Sequence, residues 1–197
     1  MDESSKVPTV LVTGFGPFRN HTRNSSWLTV QELVKIPITG YRIIAKELPV
    51  EYDTVSKEVP HLWKEYNPKL VVHCGMSEQA KCLVLETKAH NKNYLCGDIK
   101  GELPAQNCSC SDGPEILSTS IDVDKVVCDI DSTNVCVKAQ KSEDAGMYLC
   151  EFIFYTSLRI NRNTAFVHIP PVDEPYSVKD MAKTLEVIIR SMLKQVL

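Results

Sequence analysis

Cys150 has the surroundings in this sequence that best suit a reactive thiol. It lies in the stretch SEDAGMYLCEFIFY (residues 142–155), a few residues after a glycine and at the predicted start of an apolar helix. A thiol attacks as its thiolate, and the free amides and the dipole of a helix's first turn stabilise that anion. Gly146 lets a substrate backbone approach there, because it has no Cβ. The alternative is that Cys150 is one more small buried side chain, the usual fate of a free cysteine.

A thiolate nucleophile also needs a proton carrier and a group that orients it. His168 is the candidate proton carrier, since it alone among the five histidines lies after Cys150 at the predicted C-terminal end of a buried strand. Glu86 is the candidate orienting group, because a carboxylate after the apolar run LVL is costly to bury without a partner. A core histidine and an ordinary strand-end charge would explain the same residues. The residue types are therefore compatible with a cysteine hydrolase without deciding for one.

Composition and charge argue against several kinds of partner. The chain has 197 residues, of which 43% are hydrophobic and 24% charged, as expected for one domain with one core. The net charge of −3 comes without a run or stripe of basic residues, so we expect neither a nucleic-acid nor a membrane-surface partner. No window approaches the ~18 consecutive apolar residues of a membrane-spanning helix.

The N-terminus and the cysteines favour a reducing compartment. The opening MDESSKVPTV has acidic and hydroxyl residues where a secretory signal would have a basic start and an apolar run, and residues 1–6 are predicted to be a flexible N-terminus. We therefore expect a cytoplasmic protein, in which the eight cysteines remain thiols. Four of them lie in apolar, strand-like or helical runs, which disfavours a disulfide framework. These four are Cys74, Cys82, Cys136 and Cys150.

Short apolar strands alternate with helices along the chain. Strands are predicted at 7–15, 41–50, 69–75, 82–86, 134–140 and 164–170. Helices are predicted at 24–34, 55–66, 122–130, from 144 onward and at 177–192. This alternation predicts an α/β fold, a single-domain three-layer α/β/α sandwich with a mostly parallel mixed sheet. A functional site in such a fold gathers at the C-terminal ends of the strands.

The segment 92–114 carries three cysteines and no periodic pattern, so it is predicted to be a long surface loop. With His90 upstream, the cysteines Cys96, Cys108 and Cys110 have the right chemistry for metal ligands. Their C-x(11)-C-x-C spacing lacks the paired C-x-x-C knuckles of a zinc site. Surface cysteines on a loop are the preferred interpretation, and no metal is expected.

The segment TGFGPF, residues 13–18, follows the first predicted strand and contains a G-x-G. The third glycine of a dinucleotide fingerprint would fall at position 19, which is Arg19, and Pro17 interrupts the turn into the helix. A Walker lysine is missing as well. We therefore expect no cofactor. The two phenylalanines of the segment suit the edge of a core as well as a flat slot for a small ring.

Several motifs together resemble one enzyme family. They are VTGFGPF, NSSW, LPVEY, VVHCG, LETKAHN, SEDAGMYLCEFIFYTSL and FVHIPP, and the resemblance runs from about Val10 to the last helix. In order and rough spacing they resemble the pyroglutamyl-peptidase I family, cytosolic cysteine peptidases that remove an N-terminal pyroglutamyl residue. KAHNKNY and the cysteine-bearing loop look more like the animal branch of the family than the bacterial one.

The resemblance implies a role for each candidate residue. Cys150 would be the nucleophile, His168 the general base and then acid, and Glu86 the orienting carboxylate. The thiolate would attack the pyroglutamyl carbonyl, and water would release 5-oxoproline from the thioacyl-enzyme.

The resemblance also implies a pocket for the flat lactam ring. Phe15 and Phe18 match aromatic residues that sandwich the ring, and Asn24 matches an asparagine associated with that pocket. Main-chain groups near Gly75, Met76 and the nucleophile would hold the oxyanion. Pyroglutamyl peptides are thus the expected partners, bound by a monomer or weak homo-oligomer.

Two residues depart from the family's pattern. Arg19 stands where a glycine usually follows GPF, and Glu78 stands in a segment that often has a second glycine. Because Arg19 lies beside the implied pocket, a catalytically silent homologue that binds pyroglutamyl or amidated peptides is the alternative to an active peptidase.

Overall fold

The computed structural model describes residues 7–196, so the predicted flexible N-terminus at 1–6 lies outside the described residues. The strands are β1 (Thr9–Phe15), β2 (Arg42–Leu48), β3 (Leu70–Met76), β4 (Leu83–Glu86), β5 (Lys88–His90), β6 (Ile116–Ser118), β7 (Ala139–Ser142) and β8 (Thr164–Ile169). The α-helices are α1 (Ser25–Leu33), α2 (Tyr52–Tyr66), α3 (Val123–Asp131), α4 (Leu149–Ile160) and α5 (Val178–Leu193). Among the described helices, none has the length and apolar character needed to cross a bilayer.

Six strands form one mixed sheet in the order β2-β1-β3-β8-β4-β7. The first four run parallel to one another, β4 is antiparallel to β8, and β7 is parallel to β4. Helices α1, α3 and α5 pack on one face of the sheet and α2 and α4 on the other. The predicted α/β/α arrangement with a mostly parallel mixed sheet is therefore confirmed.

The central strands β1, β3 and β8 are buried at every position. Parallel strands that are covered on both faces need apolar residues throughout, which explains their continuous runs of aliphatic residues. One core contains Leu33 of α1 and Leu185 of α5, and the other contains Val59 of α2 and Ile153 of α4. The sheet between these cores carries two of the candidate catalytic residues, Glu86 and His168.

Two predicted boundaries are wrong. The strand predicted at 134–140 is β7, which begins only at Ala139, because Val137 is buried against α5 rather than paired in the sheet. The helix predicted from Asp144 begins at Leu149. Before it, the Asp144 side chain accepts a hydrogen bond from the Gly146 amide at 2.9 Å, and Gly146 has a φ of 80°. This Asx turn with a left-handed glycine is incompatible with a continuous helix.

The antiparallel ribbon formed by β5 and β6 was not predicted from the sequence. It joins the two ends of segment 92–114, in which the one regular element is a short 3-10 turn at Ala105–Asn107. Inside the segment, the Asp98 side chain accepts a hydrogen bond from the Tyr52 amide at 3.1 Å, at the start of α2. Tyr94 is fully buried. The segment is therefore anchored to the helix that stands next to the candidate site.

Candidate active site

Cys150 lies in the first turn of α4, where backbone amides have no intrahelical acceptor. Its sulfur packs against the backbone of Gly75 on β3. A Cβ added to Gly75 would lie 2.6 Å from Sγ of Cys150 and 2.7 Å from Cζ of Phe166. A glycine at this position is therefore what lets the sulfur approach the sheet. The Cys150 residue is half-buried, so a substrate can reach it.

His168 on β8 forms an ion pair with Glu86 on β4. Nδ1 of His168 lies 2.9 Å from Oε1 of Glu86, and the two side chains are 11% and 1% exposed. A carboxylate this deeply buried needs a partner, and the imidazole supplies one. The His168 ring also packs edge-on against Phe166, with ring centroids 4.9 Å apart.

The reversed direction of β4 brings Glu86 to the imidazole. Glu86 is paired with Phe166, and Val84 is paired with His168. Alternate residues of a strand point to the same face, so Glu86 and His168 are diagonal neighbours on one face of the sheet. The sequence predicted both residues at strand ends but did not predict that one of the strands runs backwards.

The groups around His168 raise its pKa. Burial lowers the pKa of His168, but a hydrogen bond with Cys150, the charge of the thiolate, and the hydrogen bond and charge of Glu86 outweigh burial and raise it to about 10. His168 is therefore protonated at neutral pH when Cys150 is a thiolate. The side chains of Cys150, His168 and Glu86 therefore lie together, and their residue types suit a nucleophile, a proton donor and an orienting carboxylate.

A cavity of about 50 Å³ lies beside Cys150. Its walls are mostly apolar and come from four separate parts of the chain. They are Phe15, Phe18, Asn24, Val50, Met76, Tyr148, Leu149 and Cys150. Four of the five predicted binding residues therefore line this cavity, and the fifth, Gly75, lies against the sulfur instead. We call this space the ring cavity, because its size and lining suit a small flat ring.

Asn24 gives the ring cavity its shape through the backbone. Its Nδ2 donates to the carbonyl of Gly16 at 2.9 Å. Its Oδ1 accepts from the amide and the hydroxyl of Ser26, at 3.1 and 2.8 Å, as the N-cap of α1. The Asn24 side chain thus joins the segment that carries Phe15 and Phe18, through Gly16, to the start of α1, through Ser26.

The sequence of this chain is similar to those of known proteins. The sequence profile of the pyroglutamyl peptidases matches residues 8–194. This chain belongs to the pyroglutamyl peptidase family. The pyroglutamyl-peptidase 1 of mouse is 43% identical over 186 residues, which cover 93% of this chain and 89% of the mouse protein. The human pyroglutamyl-peptidase 1 is 42% identical over the same shares of both chains.

Bacterial and archaeal family members are more distant. The pyrrolidone-carboxylate peptidase of Oceanobacillus iheyensis is 25% identical, with 91% of this chain and 96% of that protein covered. The solved structure of Bacillus amyloliquefaciens pyroglutamyl peptidase I has a TM-score of 0.85 at 22% identity and covers 96% of this chain and 98% of that chain. A mutant pyrrolidone carboxyl peptidase of Pyrococcus furiosus has a TM-score of 0.87 at 21% identity, with 96% and 100% covered. These structures show that the fold is shared.

Arg19, where the family resemblance implies a glycine, has a left-handed backbone with a φ of 49°. This conformation is one that glycine adopts without strain. The Arg19 guanidinium lies 5.5 Å from the centre of the Tyr148 ring, and Nη2 lies 3.6 Å from Sγ of Cys96. Arg19 therefore packs outside a wall of the ring cavity and does not fill it.

Glu78, the other residue expected to depart from the family pattern, is paired with His21. Nε2 of His21 lies 2.6 Å from Oε1 of Glu78 in an exposed contact. The pair joins the loop after β1 to the loop after β3. Both departures thus lie at the rim of the site, and the ion pair between Glu86 and His168 is intact.

Three residues that line the ring cavity were not predicted from the sequence: Val50, Tyr148 and Leu149. The Tyr148 ring is held edge-on against Tyr52, with centroids 6.0 Å apart. Tyr148 and Leu149 directly precede the nucleophile candidate, and this adjacency is the signal that could have identified them.

Among residues 7–196, no three His, Cys, Asp or Glu side chains are grouped so that they could hold a metal ion. The side chains considered for zinc have other contacts. His90 Nδ1 lies 2.7 Å from Oε1 of Glu151, and Cys110 Sγ lies 2.8 Å from Oδ1 of Asp112. All eight cysteines are free thiols.

Proposed function

We propose that this protein is a cysteine exopeptidase that hydrolyses the amide bond after an N-terminal pyroglutamyl residue. Membership of the family supports the reaction class, and mammalian relatives at 43% and 42% identity bear the name pyroglutamyl-peptidase 1. The main support for the proposal is that two features of the structure meet at Cys150. The His168–Glu86 pair, with 2.9 Å between Nδ1 and Oε1, faces its sulfur, and the ring cavity opens beside it.

In the proposed reaction, the Cys150 thiolate attacks the carbonyl carbon of the pyroglutamyl group. When the carbon–nitrogen bond breaks, His168 gives its proton to the departing amine, and a thioacyl-enzyme remains. His168 then takes a proton from a water molecule that attacks the thioacyl carbon. The carbon–sulfur bond breaks, 5-oxoproline leaves, and the thiolate and imidazolium are restored. Glu86 keeps the imidazole oriented and stabilises its positive charge throughout.

The negative oxygen of each tetrahedral intermediate needs hydrogen-bond donors in fixed positions. We assign this role to main-chain amides beside the sulfur, namely that of Cys150 and those near Gly75 and Met76. The assignment is supported by the first-turn position of Cys150 and by the close packing of its sulfur on Gly75.

We assign the lactam ring to the ring cavity, where Phe15 and Phe18 would contact its faces. An open glutamyl residue would bring an ammonium and a carboxylate into a largely apolar space of about 50 Å³. Charges buried without partners are strongly unfavourable, so the cavity would reject the open form and accept the neutral ring.

We further propose a cytoplasmic protein that acts on pyroglutamyl peptides as a monomer or weak homo-oligomer. Support for the compartment comes from the eight free thiols, because an oxidising compartment would favour their pairing.

Hydrolysis of a fluorogenic pyroglutamyl amide, with and without iodoacetamide, tests the proposal. We expect turnover that alkylation abolishes. Cys150→Ser should lower kcat/KM by at least about a thousandfold without a large change in melting temperature. Cys136→Ser, at an exposed cysteine, is the matched control and should retain activity. Folded wild-type protein that binds the substrate without turnover would instead identify a silent homologue.

A further inference from the structure

A second hollow meets the candidate active site at His168. Its volume is about 450 Å³, and it is lined by His168 and Glu86 together with polar residues of β7 and of the loop before α4. These polar residues include Gln140, Ser142 and Asp144. We call this hollow the polar cleft.

The floor of the polar cleft is one face of the sheet. On the edge strand β7, Gln140 is paired with Val84 and Ser142 with Glu86. Val84 is in turn paired with His168 on β8. Because the side chains of paired residues point to the same face, a row of β7, β4 and β8 side chains leads from the sheet edge to the imidazole. The Asx turn at Asp144 delays the start of α4 and forms one wall of the cleft.

The ring cavity and the polar cleft are lined by different members of the proposed catalytic set. The ring cavity is lined by Cys150 and the polar cleft by His168 and Glu86. In the proposed reaction the amine departs with a proton from His168. The residue that begins with that amine therefore has to leave on the His168 side, which is the side of the polar cleft.

The polar cleft has two acidic residues and one imidazolium in its lining. Among the described residues that line it, none is a lysine or arginine, while Asp144 and Glu86 are both acidic. Oε2 of Glu86 is buried and has no hydrogen-bond partner among residues 7–196. The neighbouring lysines are already paired. Nζ of Lys141 lies 2.7 Å from Oδ2 of Asp124, and Nζ of Lys88 lies 2.7 Å from Oε2 of Glu143. The His168 imidazolium also lines the cleft, but Oε1 of Glu86 lies 2.9 Å from its Nδ1 and balances its charge. An acidic side chain in the cleft would therefore meet the charge of Asp144 without an unpaired cation to offset it.

We infer that the polar cleft binds the residue that follows pyroglutamate in the substrate, and that it accepts uncharged polar or cationic side chains and disfavours acidic ones. The inference rests on the proposed peptidase function. It makes Asp144 the residue that sets the charge preference, because its side chain stands at the cleft wall on an exposed loop.

The test compares kcat/KM for three amidated substrates that differ only in the second residue: pyroglutamyl-lysine amide, pyroglutamyl-glutamine amide and pyroglutamyl-glutamate amide. The wild type should favour the lysine over the glutamate substrate by roughly threefold or more, as expected for partly exposed charges. This ratio should shrink in 1 M salt, where the screening length is only about 3 Å.

Two variants should change the ratio in the same direction. Asp144→Asn removes a charge but retains an oxygen that can accept the bond from Gly146, which is 2.9 Å long. Gln140→Lys adds a cation on the exposed edge strand, where it has little effect on folding. Both should lower the lysine-to-glutamate ratio, Gln140→Lys by roughly threefold. Asp53→Asn, at an exposed carboxylate paired with Lys57, is the control and should keep the wild-type ratio.

Because each ratio is taken within one enzyme, a general loss of activity cancels. If the wild type hydrolyses the fluorogenic amide but does not distinguish lysine from glutamate, or if either cleft variant keeps the wild-type ratio, the inference is overturned while the peptidase function stands. If no pyroglutamyl substrate is hydrolysed at all, the proposed function itself fails, and the inference fails with it.

Discussion

Oε1 of Glu86 lies 2.9 Å from Nδ1 of His168, although the two residues belong to strands that run in opposite directions. The carboxylate occupies one ring nitrogen and leaves the other for Cys150. In the proposed reaction the ring thus stands between two anions, the carboxylate that orients it and the thiolate that it stabilises. The pH dependence of the proposed reaction should therefore depend on the charge of Glu86.

Glu86→Gln should move the alkaline limb of the pH profile to lower pH. In the proposed reaction the imidazolium is the proton donor, so the wild type should stay active until pH approaches the His168 pKa, which the thiolate and Glu86 raise to about 10 against the effect of burial. Glutamine retains an oxygen for Nδ1 but removes a negative charge, so the imidazolium loses its proton at a lower pH. The measurement is kcat/KM of the fluorogenic amide between pH 6 and pH 10.5.

Glu65→Gln is the control for this experiment, because Glu65 is an exposed glutamate on α2 that is paired with another histidine, His61. Its profile should match that of the wild type. An alkaline limb that stays in place in Glu86→Gln would show that Glu86 does not stabilise the imidazolium.

Gly75→Ala should damage both stability and activity, because the new Cβ would lie 2.6 Å from the sulfur of Cys150 and 2.7 Å from the Phe166 ring. Overpacking of this kind costs about 1–3 kcal/mol, and here it should also displace the sulfur of Cys150. Urea unfolding and kcat/KM measure the two effects.

A double-mutant cycle separates the sulfur contact from the ring contact. The free energy lost through Gly75→Ala should be smaller by at least about 0.5 kcal/mol in a Cys150→Ala background, because one of the two clashes is then absent. Equal losses in both backgrounds would mean that the sulfur does not rest on Gly75.

Asn24→Ala should weaken substrate binding in addition to lowering stability. The change removes the cap of α1 and the bond to the Gly16 carbonyl, which together shape the ring cavity. A lost N-cap costs about 1 kcal/mol. Since Phe15 and Phe18 are carried by the same segment, KM for the fluorogenic amide should rise.

Asp122→Ala is the matched control, because Asp122 caps α3 by accepting from the Lys125 amide at 3.0 Å and does not line the ring cavity. It should lower stability to a similar extent and leave KM unchanged. If both variants raise KM equally, the effect of Asn24 is general destabilisation and not the shape of the cavity.

The sequence predicted those parts of the site that depend on local patterns. Cys150 stands at a helix start and Glu86 at a strand end, and both features follow from the neighbouring residues. The direction of β4 does not, because a four-residue apolar strand pairs equally well in either direction until the rest of the sheet is known. Local patterns therefore leave the contact between Glu86 and His168 open, and only the family resemblance implied it.

The ring cavity could be predicted only in part, for a related reason. Phe15 and Phe18 follow a recognisable strand, whereas Val50 and Tyr148 reach the cavity from segments far apart in the chain. The late start of α4 did have a local signal. An aspartate two residues before a glycine is typical of a turn, and the helical pattern after it hid that signal.

His90→Leu should destabilise the protein more at pH 8 than at pH 5. Glu151, the residue after Cys150, is fully buried and accepts from the His90 amide at 3.0 Å and from Nδ1 of His90 at 2.7 Å. Burial raises the pKa of Glu151, and the hydrogen bonds and charge of His90 only partly oppose that shift. The folded state therefore binds the carboxyl proton more tightly than the unfolded chain, so this group's contribution to stability improves as pH falls.

Without the imidazole the pKa of Glu151 rises further, and the buried carboxylate at pH 8 loses a partner at a cost of about 1–3 kcal/mol. At pH 5 more of the carboxyl is protonated, and the loss should be smaller. Urea unfolding at both pH values measures the difference. His61→Leu, which removes an exposed histidine 3.3 Å from Glu65, should change stability by less than about 1 kcal/mol at either pH. A loss in His90→Leu that does not depend on pH would mean that Glu151 does not rely on His90 to carry its charge in the core.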